Sequence, residues 1–226
     1  MEKLRRGVCN IPDFLDCNGL WSKGYSETTP TEYIYYHTRG GKLWNGVKNR
    51  SNKGGSCQKN MPSYEGTNYL FSSFQSFVEW CHTQQGYFEL EEFGKFWQLD
   101  KDILVSGNQS YVYDRCCFVP TYINSLLVNC SKPETGLPLG VGWHTKANKY
   151  ISKIQVESGE TKHLGLFTSV EAAASKWLLE KATLIDNSSQ RYILHKSARL
   201  DVYEALTARS TFMRECAVNH QPLYSL

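Results

Sequence analysis

The sequence predicts an α+β fold, with helices and an antiparallel meander occupying different parts of the chain. Three observations carry this. Phe71, Phe74, Phe77, Val78 and Cys81 recur at three- and four-residue steps across residues 70–82, the period of a helix buried along one stripe. Residues 140–144, 149–156 and 161–167 form three short alternating runs, separated by Lys146-Ala147-Asn148 and Glu157-Ser158-Gly159-Glu160, which is the spacing of a three-stranded meander. Thr168-Ser169-Val170-Glu171 then supplies a capping hydroxyl and an early glutamate ahead of Ala172 to Lys181, a run of strong helix formers.

The chain has 226 residues, room for one to two domains. Hydrophobic residues make up 41% and charged residues 21%, which excludes a disordered chain. No stretch approaches the length of a membrane span, so no membrane partner is expected. A basic start, Met1-Glu2-Lys3-Leu4-Arg5-Arg6, is not followed by an apolar region, so no secretory signal is expected either. A net charge of +3 permits nucleic-acid binding without requiring it, and local clustering decides. Eight cysteines with no CxxC pair read as buried free thiols in a reducing compartment; Cys9, Cys17 and Cys57 are the alternative, as zinc ligands.

In chain order, residues 1–41 read as an irregular arm with turn signals and the Tyr33, Tyr35, Tyr36 cluster. Residues 42–50 read as a short helix, with Leu43, Trp44 and Val47 on one side and Lys48 and Arg50 on the other. A Gly-rich basic loop, 51–55, follows, so that Lys48 and Arg50 are candidate phosphate contacts. Residues 96–105 suit a strand, Ser106-Gly107-Asn108-Gln109 a turn and residues 111–113 a return strand. Cys116 to Leu127 reads as a short helix with Pro120 in its first turn. Residues 129–138 read as a linker, residues 199–209 as a second C-terminal helix and residues 221–226 as a tail.

Residues 137–177, LPLGVGWHTKANKYISKIQVESGETKHLGLFTSVEAAASKW, resemble the plant ethylene-response-factor (Apetala-type) DNA-binding domain in the version found in phage and mobile-element proteins. The likeness rests on Gly140-Val141, Lys149-Tyr150, Lys162 to Phe167 and the Glu171-Ala172-Ala173-Ala174 helix. It implies a three-stranded sheet, backed by one helix, that reads double-stranded DNA. Strand alternation independently puts Lys153 and Gln155 on the outward face, opposite the parity of Ile154 and Val156. Lys146, Lys149, Lys153, Gln155 and Lys162 are therefore the expected DNA contacts. No arginine occurs in residues 116–190, so bidentate guanine contacts are not expected and sequence discrimination should be modest.

Residues 97–124, WQLDKDILVSGNQSYVYDRCCFVPTYIN, resemble HNH (His-Me finger) nucleases of the phage homing-endonuclease branch. The resemblance implies a ββα-metal module in which Asp100 and Asn124 hold one Mg2+ or Mn2+ and the residue after the aspartate is the base. Here that residue is Lys101 where the family carries histidine. Lysine keeps its proton at neutral pH, so an electrostatic role at the phosphate or leaving oxygen is expected of it. On a regular strand Asp102 would share a face with Asp100 and Lys101 would point away.

Together these readings give a nuclease-like module over 1–132, a DNA-binding module over 137–184 and a helical extension over 185–226. The resemblance implies a phage or mobile-element protein acting in the host cytoplasm, and the leading expectation is a metal-dependent endonuclease with a degenerate catalytic motif. Two alternatives stand beside it: a non-catalytic DNA-binding protein, and a phage factor that binds a host protein through its aromatic N-terminal arm.

Overall fold

The computed structural model describes residues 39–61, 64–127, 136–157 and 159–225. Nearly all of the arm expected over residues 1–41 lies outside the described residues, as do Cys9 and Cys17. Of the linker expected over 129–138, only residues 136–138 are described. The chain divides into two compact units between Val119 and Pro120.

The first unit contains α1 (Arg39–Ser51), α2 (Ser56–Asn60), β1 (Asn68–Tyr69), α3 (Phe74–Thr83), β2 (Gln98–Asp100), β3 (Ser110–Tyr111) and β4 (Cys117–Val119). Its core is aromatic. Trp44 and Val47 of α1 and Phe74, Phe77, Val78 and Trp80 of α3 are buried, along with Phe71. The Phe71 and Phe77 rings meet edge to face at 4.9 Å, and Trp44 lies 5.3 Å from Phe77. α3 starts at Phe74 because Ser73 caps it. The Ser73 hydroxyl accepts from the Ser76 N–H and the Ser76 hydroxyl accepts from the Ser73 N–H, both at 3.0 Å.

The expected hairpin between residues 96–105 and 111–113 does not form. β2 ends at Asp100 because the Asp100 Oδ1 accepts the backbone N–H groups of Asp102 at 2.8 Å and Ile103 at 2.7 Å, turning the chain out of the strand. The antiparallel partner of β2 is β4, with Leu99 opposite Phe118 and Asp100 opposite Cys117. Ser110 and Tyr111 pair instead with Asn68 and Tyr69, in parallel. Nor is 116–127 one helix: Cys117–Val119 is strand. Pro120 drives the residue before it to extended backbone, so helix begins only at Thr121.

In the second unit, α4 (Thr121–Asn124) is a single turn. It precedes β5 (Val141–His144), β6 (Lys149–Gln155) and β7 (Thr161–Phe167), an antiparallel sheet in that order. The turn before β6 contains Asn148 at φ 51°, and the turn before β7 contains Gly159 at φ 86°, both left-handed positions suited to those residues. α5 (Val170–Ile193) follows, its Ser169 hydroxyl accepting the Ala172 N–H at 3.2 Å. α5 runs unbroken through 184/185, where a separate extension was expected to begin. α6 (Leu200–Val218) packs along α5 and extends to Val218, beyond the 209 expected. Among the described residues, no helix is long and apolar enough to cross a membrane.

Candidate functional site

The sheet of the second unit has one covered face and one open face. Val141 packs with Ala173 and Ala174 of α5, and Leu137, Tyr150, Phe167 and Val170 close around them. Cross-strand partners share a face, so Val141 opposite Ser152 and Tyr150 opposite Phe167 define the side under α5. The opposite side carries His144, Lys149, Ile151, Lys153, Gln155, Thr161, His163 and Leu166. Lys149, Lys153 and Gln155 are exposed there, and none of the three strands contains an aspartate or glutamate. Glu157, in the β6–β7 connection, is tied to Arg191 of α5 at 2.7 Å.

A bulge moves Lys162 away from this group. Ser152 faces Gly165 but Lys153 faces His163, leaving Leu164 as the extra residue. Lys162 therefore pairs with Ile154 on the helix side, and its Nζ lies 3.5 Å from the Glu180 carboxylate of α5. Lys176 reaches the same carboxylate at 2.8 Å, and these cations, Lys176 foremost, hold Glu180 below the usual carboxylate range. Lys146 sits in the 3-10 turn between β5 and β6, where the His144 Nδ1 accepts the Ala147 N–H at 3.1 Å.

Lys48 is exposed on α1. Arg50 is turned inward: its guanidinium carbon lies 5.2 Å from the Tyr111 ring centre and 5.7 Å from that of Tyr64. It is a stacking residue of the first unit's core.

Asp100, Lys101, Asp102 and Asn108 form the second cluster. Burial first, and the neighbouring Asp102 carboxylate second, push Asp100 up to about 7 against the opposing pull of its two backbone N–H donors. The Lys101 Nζ is buried and donates to the Asp102 Oδ2 at 2.9 Å and to the Asn108 carbonyl at 3.3 Å. Because the strand ends at Asp100, the expected alternation fails: Lys101 and Asp102 are an ion pair. Asn108, read from sequence only as a turn residue, closes the loop. Its amide donates to the Lys101 carbonyl and, at 2.9 Å, to the Ser110 carbonyl, while its Oδ1 accepts the Ser110 N–H at 3.2 Å. The signal for this role was an asparagine directly after Gly107, which adopts φ 74°. Burial pushes the neighbouring Cys116 thiol up to about 12, which leaves it unreactive.

No protein-family model, curated protein or solved structure matches this chain.

Asp100 belongs to the first unit and Asn124, on α4, to the second. α4 is anchored within its own unit, where the Arg191 guanidinium lies 3.5 Å over the Tyr122 ring. In the first unit, the oxygen donors near a would-be cation are the carboxylates of Asp100 and Asp102. They are hard ligands of the kind Mg2+ and Mn2+ take, and their mutual repulsion is what a divalent cation relieves. Among the described residues, no three His, Cys, Asp or Glu side chains converge as a metal-binding group, and Cys57 is a free thiol.

Proposed function

We propose that the chain binds double-stranded DNA through the face of the β5–β6–β7 sheet opposite α5. The observation that carries this reading is the carboxylate-free open face on which Lys149, Lys153 and Gln155 stand together. A narrow antiparallel sheet suits the major groove. Lysines contact phosphate as point charges, and with no arginine on the sheet the binding discriminates little between sequences. The resemblance to phage and mobile-element proteins supports such an origin, with the host cytoplasm as the place of action.

The test is the salt dependence of binding to two unrelated duplexes. Lys149→Ala with Lys153→Ala removes two phosphate contacts, so the slope of log K against log salt falls by about 1.8 on both duplexes. Lys162→Ala leaves the slope unchanged, because that ammonium lies by Glu180 on the other side of the sheet. An unchanged slope in the double variant refutes the proposal.

The adjacent carboxyls of Asp100 and Asp102 favour a second reading, a metal-dependent endonuclease. In it, the Asp100 carboxylate would hold Mg2+ or Mn2+, a group that supplies an activated water and a polarised phosphoryl oxygen when bound. Lys101 is no base in this scheme. Its ammonium stays on Asp102 and sets the charge around Asp100. Cleavage of supercoiled plasmid that requires a divalent metal and is lost in Asp100→Ala supports this reading. DNA binding without cleavage under either metal leaves the non-catalytic one.

A further inference from the structure

The lysine-bearing face of the β5–β6–β7 sheet has an apolar middle. Cross-strand pairing puts Gly142 of β5, Ile151 of β6 and Leu166 of β7 in one row across the sheet. The row lies on the side away from Val141, Ala173 and Ala174, so its apolar groups do not serve the contact with α5. Lys149 and Lys153 flank Ile151 along β6. At the rise of an extended strand their Cα atoms stand about 13 Å apart, with the row midway between them. Ile151 is 8% exposed and Leu166 39% exposed, so the row has a floor at Ile151 and a raised shoulder at Leu166. Its β5 end is open because Gly142 has no side chain, and a Cβ there would meet the Ile151 Cγ2 at 3.3 Å.

A single exposed leucine is ordinary on a protein surface. Leu166 differs in its setting, between two lysine-bearing rows of a sheet whose strands carry no carboxylate. With the ammonium groups of Lys149 and Lys153 on phosphates, the row between them faces the base edges in the major groove. Those edges present hydrogen-bonding groups and one apolar group, the 5-methyl of thymine. The side chains of Ile151 and Leu166 offer no hydrogen bond, so pressing them on amino or carbonyl edges is unfavourable, whereas covering a methyl is favourable.

We propose that the Gly142–Ile151–Leu166 row is a thymine-methyl contact, which gives the sheet a preference for duplexes that carry 5-methylpyrimidines. Leu166 supplies the contact, and Gly142 leaves room for the base edge to approach. This inference rests on the proposed DNA binding and adds the group that is read. One methyl seated on apolar carbon gives a preference of about three- to fourfold. The test replaces thymine with uracil, which removes the methyl and keeps the base pair. Binding of the full chain to an A·T-rich duplex and to its uracil counterpart is followed by fluorescence anisotropy across a salt series. The thymine duplex should bind about threefold more tightly or better, with the same salt slope, because the phosphates are unchanged. Leu166→Ala should bring the two affinities together, and Leu166→Met, which keeps an apolar side chain of similar volume, should preserve the difference. A salt slope equal to that of the wild type in both variants shows that their sheet is intact. Exchanging cytosine for 5-methylcytosine in a G·C-rich duplex needs no variant and should also raise the affinity. Equal affinity of the wild type for the thymine and uracil duplexes overturns the inference and leaves DNA binding in place. So does a thymine preference that Leu166→Ala retains, or one with no matching effect of 5-methylcytosine. If no duplex binds at all, the DNA reading itself fails and the methyl contact falls with it.

Discussion

Replacing Asp100 with asparagine keeps an oxygen for the backbone N–H groups of Asp102 and Ile103 but removes a buried titration. In the folded chain Asp100 holds its proton up to about pH 7, against an ordinary value of 3.8. A carboxyl whose folded pKa is raised contributes stability that is fully present below the ordinary value and is lost as pH climbs through the folded one. Taken at full value, the shift is worth about 4 kcal/mol over that window, of which about 3 falls between pH 5 and pH 8. Solvent screening and relaxation around the half-buried side chain reduce this to roughly 1–2 kcal/mol. Asp100→Asn should therefore gain about 1–2 kcal/mol over the wild type at pH 8 relative to the gain at pH 5. Urea unfolding in chelator, followed by tryptophan fluorescence in a background with Trp143 and Trp177 replaced by Phe, so that the buried Trp44, Trp80 and Trp97 of the first unit dominate the signal, gives both numbers. An equal effect of the substitution at both pH values refutes the reasoning, since burial of an ionising group is its whole basis.

Other substitutions test the remaining assignments. Asn108→Ala strands the carbonyls of Lys101 and Ser110 and should cost about 2–3 kcal/mol in the same urea assay. Arg50→Ala should destabilise the first unit by about 1–2 kcal/mol and leave the salt slope of DNA binding untouched, separating stacking on Tyr111 and Tyr64 from a phosphate contact. Gly140→Ala should lower stability by more than about 3 kcal/mol, because Gly140 sits at φ 70° and an added Cβ would fall on the indole of Trp177; circular dichroism melts read the loss.

The meander was legible because its information is local. Alternation set the strands, Asn148 and Gly159 occupy the turns that need left-handed backbone, and Ser169 caps the following helix as its sequence position suggests. The first unit was less legible for equally physical reasons. Ile103-Leu104-Val105 has strand composition, yet the Asp100 side chain captures two backbone donors and ends the strand ahead of it. β3 finds its partner in β1, about forty residues away, in a parallel pairing that no local pattern announces. The strand at Cys117–Val119 did carry a signal, the proline that follows it. At the candidate interface, alternation placed Lys149, Lys153 and Gln155 on one side, but one extra residue in β7 carried Lys162 to the other. Lys101 was expected to be turned away from Asp102, and the early end of β2 brought the two together.

α5 makes the sheet and the C-terminal hairpin a single mechanical part. Its 24 residues give a rod about 36 Å long. Ala173 and Ala174 near one end sit on the sheet, while Asp186 meets Arg214 at 2.7 Å and the Gln190 amide donates to the Tyr203 hydroxyl at 2.7 Å toward the other. The sheet lends the rod its footing and α6 keeps it straight. A cassette cut at residue 184 would remove the last nine residues of that rod together with all of α6, so the transferable piece is the whole of 136–225. Whatever pulls on the C-terminal hairpin therefore tugs the lysine-bearing face as well.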